Sequence, residues 1–174
     1  MRTTLPTSLL LSCLLTLLAL TQPAQADDTP KTARPKVYDE SADGSKQIAD
    51  ALAIAKKENK RVLLQFGANW CFWCKRLHKM FETDQAIAEQ LKNGYVLVLI
   101  DVNGEHNQTV NSMYGNPTRF GIPALVVLDA DGKRLVTNGA GGPHTAKRAM
   151  SFLKQWAPQP SVDKTDDVGK TDES

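Results

Sequence analysis

The chain has 174 residues, 41% hydrophobic and 23% charged, with a formal net charge of +2, which bounds it to one small globular domain. A balance so close to neutrality excludes nucleic acid and strongly acidic molecules as partners. Residues 1–26 stand apart from that domain. Arg2 supplies a minimal basic start, residues 9–20 a leucine-rich apolar stretch, and Ala24, Gln25 and Ala26 a cleavage pattern, so a signal peptide is expected here. Two rival readings fit less well. A membrane anchor is interrupted by Ser12 and Thr16, and lipid attachment at Cys13 leaves too short an apolar segment upstream. Cleavage removes Arg2 and no acid, lowering the charge from +2 to +1, and it removes Cys13 as well. Only Cys71 and Cys74 then remain in a protein bound for an oxidising compartment.

Residues 27–44 are expected to be a flexible lead-in, with a short edge strand at 36–38. Ser45 can cap a helix reaching about Asn59, with Ile48, Leu52 and Ala55 on its apolar face. Residues 61–66 form a strand, Gly67 and Asn69 a turn, and a helix opens at Cys71 with Cys74, Leu77 and Phe81 facing inward. That helix breaks near Thr83 and Asp84, which can cap a second piece carrying Ile87 and Leu91. Residues 95–100 are almost wholly apolar and read as a central strand buried on both faces. A loop at 101–106 and a short helix at 107–114 follow. Residues 123–128 and 133–137 form a hairpin announced by Asp131 and Gly132. Pro143 suits the first turn of a last helix, whose stripe is Ala146, Ala149, Met150, Leu153 and Trp156. The folded domain is expected over 45–157 and a disordered tail over 158–174. Helix-linked strands followed by a hairpin imply an α/β fold, a mixed central sheet with helices on both faces.

The chemistry concentrates in Trp70-Cys71-Phe72-Trp73-Cys74-Lys75. Cys71 falls at a helix start, where unpaired N–H groups and the positive end of the helix dipole favour thiolate over thiol. Cys74 lies one turn on, close enough to close a disulfide. So short a loop makes a poor structural staple and suits reversible exchange. Together with Gly121-Ile122-Pro123 downstream, this motif makes the chain resemble the thioredoxin superfamily over roughly residues 45–156. The stretches around it are most similar to exported thioredoxin-like proteins and to the soluble cysteine domain of periplasmic electron-transfer proteins. The resemblance implies a cis bond before Pro123, set against the cysteine pair, with Ile122 offering its backbone to an extended substrate.

Two departures stand out. Where the family carries an acid, six residues before the first cysteine, this chain has Gln65, which cannot exchange a proton at neutral pH. That makes attack by Cys74 the expected slow, pH-dependent step. Residues 116–120 also make the connection to Gly121 longer than usual.

Trp70, Phe72 and Trp73 offer an apolar rim for unfolded or extended chains. Lys75, Arg76 and Lys79 read as a wet helix face whose charge can help a nearby thiolate. His78 shares a helix face with Cys74, so copper(I) or zinc held by Cys71, Cys74 and His78 is an alternative, although no second C-x-x-C or histidine cluster completes such a site. A redox-inert peptide-binding module is another. The favoured reading is a monomeric periplasmic disulfide reductase cycling between dithiol and disulfide at Cys71 and Cys74. It would need no cofactor and no metal, act on disulfide-containing proteins, and draw electrons from a membrane-bound partner.

Overall fold

A computed structural model describes residues 36–139 and 142–159. The expected signal peptide and the tail from 160 onward lie outside these residues. Helix α1 spans Gly44–Glu58. Its cap is Asp43 rather than Ser45: the Asp43 carboxylate accepts from the N–H groups of Ser45 and Lys46, satisfying two donors that a helix start leaves free. Strand β1 (Arg61–Gly67) leads into helices α2 (Phe72–Thr83) and α3 (Gln85–Gly94). The expected break holds, since Asp84 ends α2 and caps α3 by accepting from Ile87 N–H at 3.1 Å. Strand β2 (Tyr95–Asp101), helix α4 (Gln108–Met113), a 3-10 turn (Pro117–Phe120), strands β3 (Ala124–Leu128) and β4 (Arg134–Asn138), and helix α5 (Ala146–Gln155) complete the order.

The sheet runs β2-β1-β3-β4, with β1 parallel to β2 and antiparallel to β3, and β4 antiparallel to β3. It is mixed, as expected. Strand β2 is nevertheless an edge and not a central strand. Its apolar run is explained by cover from helices: Val98 and Ile100 pack in the cluster that holds α1, while Leu97 lies against that of α3. The central strands are β1 and β3, and β3 is buried throughout.

The period of two along β1 separates two cores. Val62, Leu64 and Phe66 pack with Ile48, Ala51 and Ala55 of α1 and with Val110 of α4. Leu63 on the other face packs with Leu77 and Phe81 of α2, Ile87 and Leu91 of α3, and Leu153 of α5. At roughly 1.5–3 kcal/mol for each large side chain fully buried, these two layers supply most of the driving force.

Two further expectations, a strand at 36–38 and a helix opening near Pro143, are corrected. Residues 36–38 pair with no strand among the described residues; they lie across the turn after β1, held by Asn69. The last helix begins at Ala146 rather than near Pro143, because Thr145 accepts from Arg148 N–H and serves as its cap. Its buried face is Ala149, Phe152 and Leu153, with Ala146 exposed. The longer connection at 116–120 is an ordered 3-10 turn, fastened by Asn111 Oδ1 accepting from the Thr118 hydroxyl at 3.0 Å.

Candidate functional site: a disulfide at the start of a helix

Strand β1 ends at Gly67, and three residues of turn bring the chain to Cys71, the N-cap of α2. Cys71 Sγ accepts the Cys74 N–H at 3.1 Å, so sulfur takes the place an oxygen usually fills at a helix start. Cys71 and Cys74 are joined in a disulfide, their Cα atoms 5.3 Å apart. The two sulfurs are not equivalent: Cys71 is 6% exposed and Cys74 fully buried. Of the two, only Cys71 reaches the surface at all, and it is the N-cap of α2, where a helix start favours negative charge.

The Ile122–Pro123 bond is cis, as the resemblance implies. The Ile122 carbonyl oxygen lies 3.8 Å from Cys71 Sγ, which brings Ile122, 51 residues downstream of Cys71, and with it Pro123, to the disulfide. Trp70, Phe72 and Trp73 are 68%, 63% and 49% exposed, so none is consumed by packing in the domain. Trp70 Nε1–H donates to Asn103 Oδ1 at 3.0 Å, steadying the indole against the loop after β2. Trp73 stands edge-on to Phe72 and to His144, with the Arg76 guanidinium 5.6 Å from its ring. Beneath it, between α2 and the start of α5, runs an open groove of about 490 Å³ lined by Trp73, Leu77, Met80 and His144. Phe120, 67% exposed, is a further aromatic close in sequence to Ile122 and was not singled out from the sequence.

His78 lies on the helix face of Cys74, and its Nε2 meets Glu82 Oε1 at 3.1 Å. Among the described residues no group of three or more His, Cys, Asp and Glu side chains is arranged to hold a metal ion. Nor is any described helix long and apolar enough to cross a membrane.

Behind the disulfide, Gln65 is fully buried. Its amide donates to Tyr38 Oη at 2.6 Å and to the Cys74 carbonyl at 3.2 Å. Tyr38 is itself buried and forms with Cys71 and Cys74 a cluster separate from both cores. Asn69 secures it from the other side: Asn69 Oδ1 accepts from the N–H groups of Val37 and Tyr38, and Nδ2 donates to the Tyr38 carbonyl and to Glu40. Sequence reasoning missed Tyr38. The available signal was Gly67, a glycine closing a strand beside the reactive pair, which leaves a space that some other side chain must fill.

A thioredoxin-like family model matches residues 44–130. Among solved structures, a disulphide isomerase from Xylella fastidiosa Temecula1 is 35% identical, with 71% of this chain and 98% of that one covered and a TM-score of 0.64. The thiol:disulfide interchange protein DsbD of Vibrio vulnificus is 35% identical over 86 residues, which are 49% of this chain and 14% of that protein. The chain therefore spans only a small part of the length of that relative. The disulfide bond reductase DsbH of Chlamydia pneumoniae is 29% identical over 124 residues, covering 61% of this chain and 70% of that one.

Proposed function

Since the chain belongs to the thioredoxin-like family, we propose that it is a thiol–disulfide oxidoreductase of the periplasm that reduces disulfides in other proteins. The observation that carries this reading is the unequal pair of sulfurs, one at a helix start with a sliver of its surface open to solvent and one sealed completely behind it. In the reduced protein the Cys71 thiolate attacks one sulfur of a substrate disulfide. That bond breaks, the second substrate sulfur leaves as a thiolate and takes a proton, and Cys71 is left in a mixed disulfide. Cys74 then attacks Cys71 Sγ and displaces the remaining substrate sulfur. The substrate gains two electrons and two protons, and the protein ends with the Cys71–Cys74 bond. An oxidising compartment does not restore the dithiol, so a membrane-bound donor must return two electrons.

The exposed Trp70, Phe72 and Trp73, with the groove under Trp73, give an unfolded or extended chain apolar footing. The Ile122 backbone beside Cys71 gives such a chain main-chain hydrogen bonds. The direction follows from the residues between the cysteines. Phe72 and Trp73 bring no cation next to Cys71, so its thiolate is not stabilised as far as a strong oxidant requires.

The test is to trap the intermediate. Cys74→Ser should accumulate mixed disulfides with periplasmic proteins, visible as bands that thiol reagents abolish, and Cys71→Ser should not. The reverse pattern would overturn the assignment of roles. Equilibration of the pair against glutathione fixes the direction, a reductase lying near thioredoxin's potential of about −270 mV and an oxidase far above it.

A further inference from the structure

Gly67 has no side chain, and the space its Cβ would take is already occupied. A Cβ there would overlap the Tyr38 phenol and stand 3.0 Å from Cys74 Sγ, so Tyr38 and Cys74 border the same small volume. The Gln65 amide donates into Tyr38 Oη, and a phenol that is accepting at oxygen still carries its own O–H proton. Among the described residues that proton has no acceptor while the disulfide is closed. A disulfide sulfur is a weak acceptor; a thiolate is a strong one.

We propose that Tyr38 stabilises the Cys74 thiolate: when the disulfide opens, its hydroxyl, oriented by Gln65 and anchored by Asn69, donates a hydrogen bond to Cys74 Sγ. The inference rests on the oxidoreductase reading and names the group that does there what Gln65 cannot. In the resolving step Cys74 gives up its proton, the thiolate forms a bond to Cys71 Sγ, the bond from Cys71 to the substrate sulfur breaks, and that sulfur carries the proton away. Tyr38 lowers the cost of the charged moment and keeps its own proton throughout.

The surroundings suit a donor rather than a base. Asp101 is 1% exposed with Oδ2 unpartnered, and it is paired in register with Gly67, so its side chain shares the face of the sheet on which Tyr38 lies. Burial first, and the Asp101 charge in addition, push the phenol well above its ordinary value, the Gln65 hydrogen bond only partly opposing them. The other titratable groups near Cys74 are Cys71, Lys75 and, one turn along α2, His78 paired to Glu82. Lys36 and Glu40 pair with each other at 2.7 Å at the outer end of the segment that carries Tyr38.

The experiment uses an aromatic disulfide whose leaving thiolate is coloured, mixed with the reduced full chain carrying Cys13→Ser so that two thiols react. Attack by Cys71 releases the first equivalent and attack by Cys74 the second. Tyr38→Phe keeps the ring that fills the space and removes only the hydroxyl. A hydrogen bond to a charged group is worth enough to move a pKa by about one unit. The second release should therefore slow about tenfold near pH 7, with its pH midpoint raised by about one unit and the first release unchanged. An unshifted second release, or equal slowing of both releases with no shift in midpoint, assigns Tyr38 to packing alone and overturns the proposal. If the protein with Tyr38 intact releases only one equivalent, what fails is the dithiol reading beneath it.

Discussion

Gln65 can be donor to the Cys74 carbonyl only because it is an amide. A carboxylate in its place has no hydrogen to give and would set negative charge against a carbonyl oxygen in a fully buried site. Gln65→Glu should therefore bind a proton to fold, which raises the glutamate above its ordinary value of about 4.3. The sign follows from that direction. A group whose folded value is raised contributes stability fully below about pH 4.3 and loses it as pH climbs through the folded value. Urea unfolding should find the variant close to the parent near pH 4 and roughly 1–4 kcal/mol less stable near pH 7. An equal deficit at both would show that shape, and not charge, sets the cost. The departure at Gln65 was plain in the sequence. Its partners were not, because the Tyr38 hydroxyl comes from 27 residues away through a segment with no periodicity to announce it.

The elements that position the site divide into those with a repeating signal and those without. The C-x-x-C stretch, the break at Asp84 and the Asp-Gly hairpin each carry their own local chemistry, and the structure has them where that chemistry puts them. Strand β2 misled because covering helices make an edge strand as apolar as a central one. The segment at 36–41 misled because its order comes from distant side chains: Asn69 makes four hydrogen bonds to Val37, Tyr38 and Glu40, and Gln65 adds one to the Tyr38 hydroxyl. That concentration makes a prediction. Asn69→Ala removes a partner from two N–H groups and one carbonyl at once, at about 1 kcal/mol for each net bond. The variant should lose roughly 2–4 kcal/mol, and hydrogen exchange at the Val37 and Tyr38 amides should rise far more than exchange in β1 or β3. Equal acceleration everywhere would mean that the segment is not a separately released unit.

Across the whole molecule, two buried phenols tie the sheet to what surrounds it. Tyr38 joins the N-terminal segment to the back of the disulfide. Tyr95, at the start of β2, donates to the Leu153 carbonyl at 2.7 Å and so fixes the edge of the sheet to α5. The exposed ion pairs, such as Lys46 with Asp50, are solvated and count for little by comparison. Burial raises both tyrosines above their ordinary value of about 10, because the phenolate would lose its water. In the unfolded chain both titrate near 10. Above that pH the folded state holds more protons than the unfolded one, so stability falls as pH rises, by about 1.4 kcal/mol per pH unit for each phenol still protonated in the fold. Below about pH 9 the two contribute no slope. Lysines titrate in the same range, so the comparison is between the parent and a Tyr38→Phe, Tyr95→Phe double variant, in which only the phenols differ. The parent should lose stability more steeply between about pH 9.5 and 11. Parallel curves for the two proteins would mean that water reaches the phenolates in the folded state and that neither ring is sealed by the packing around it.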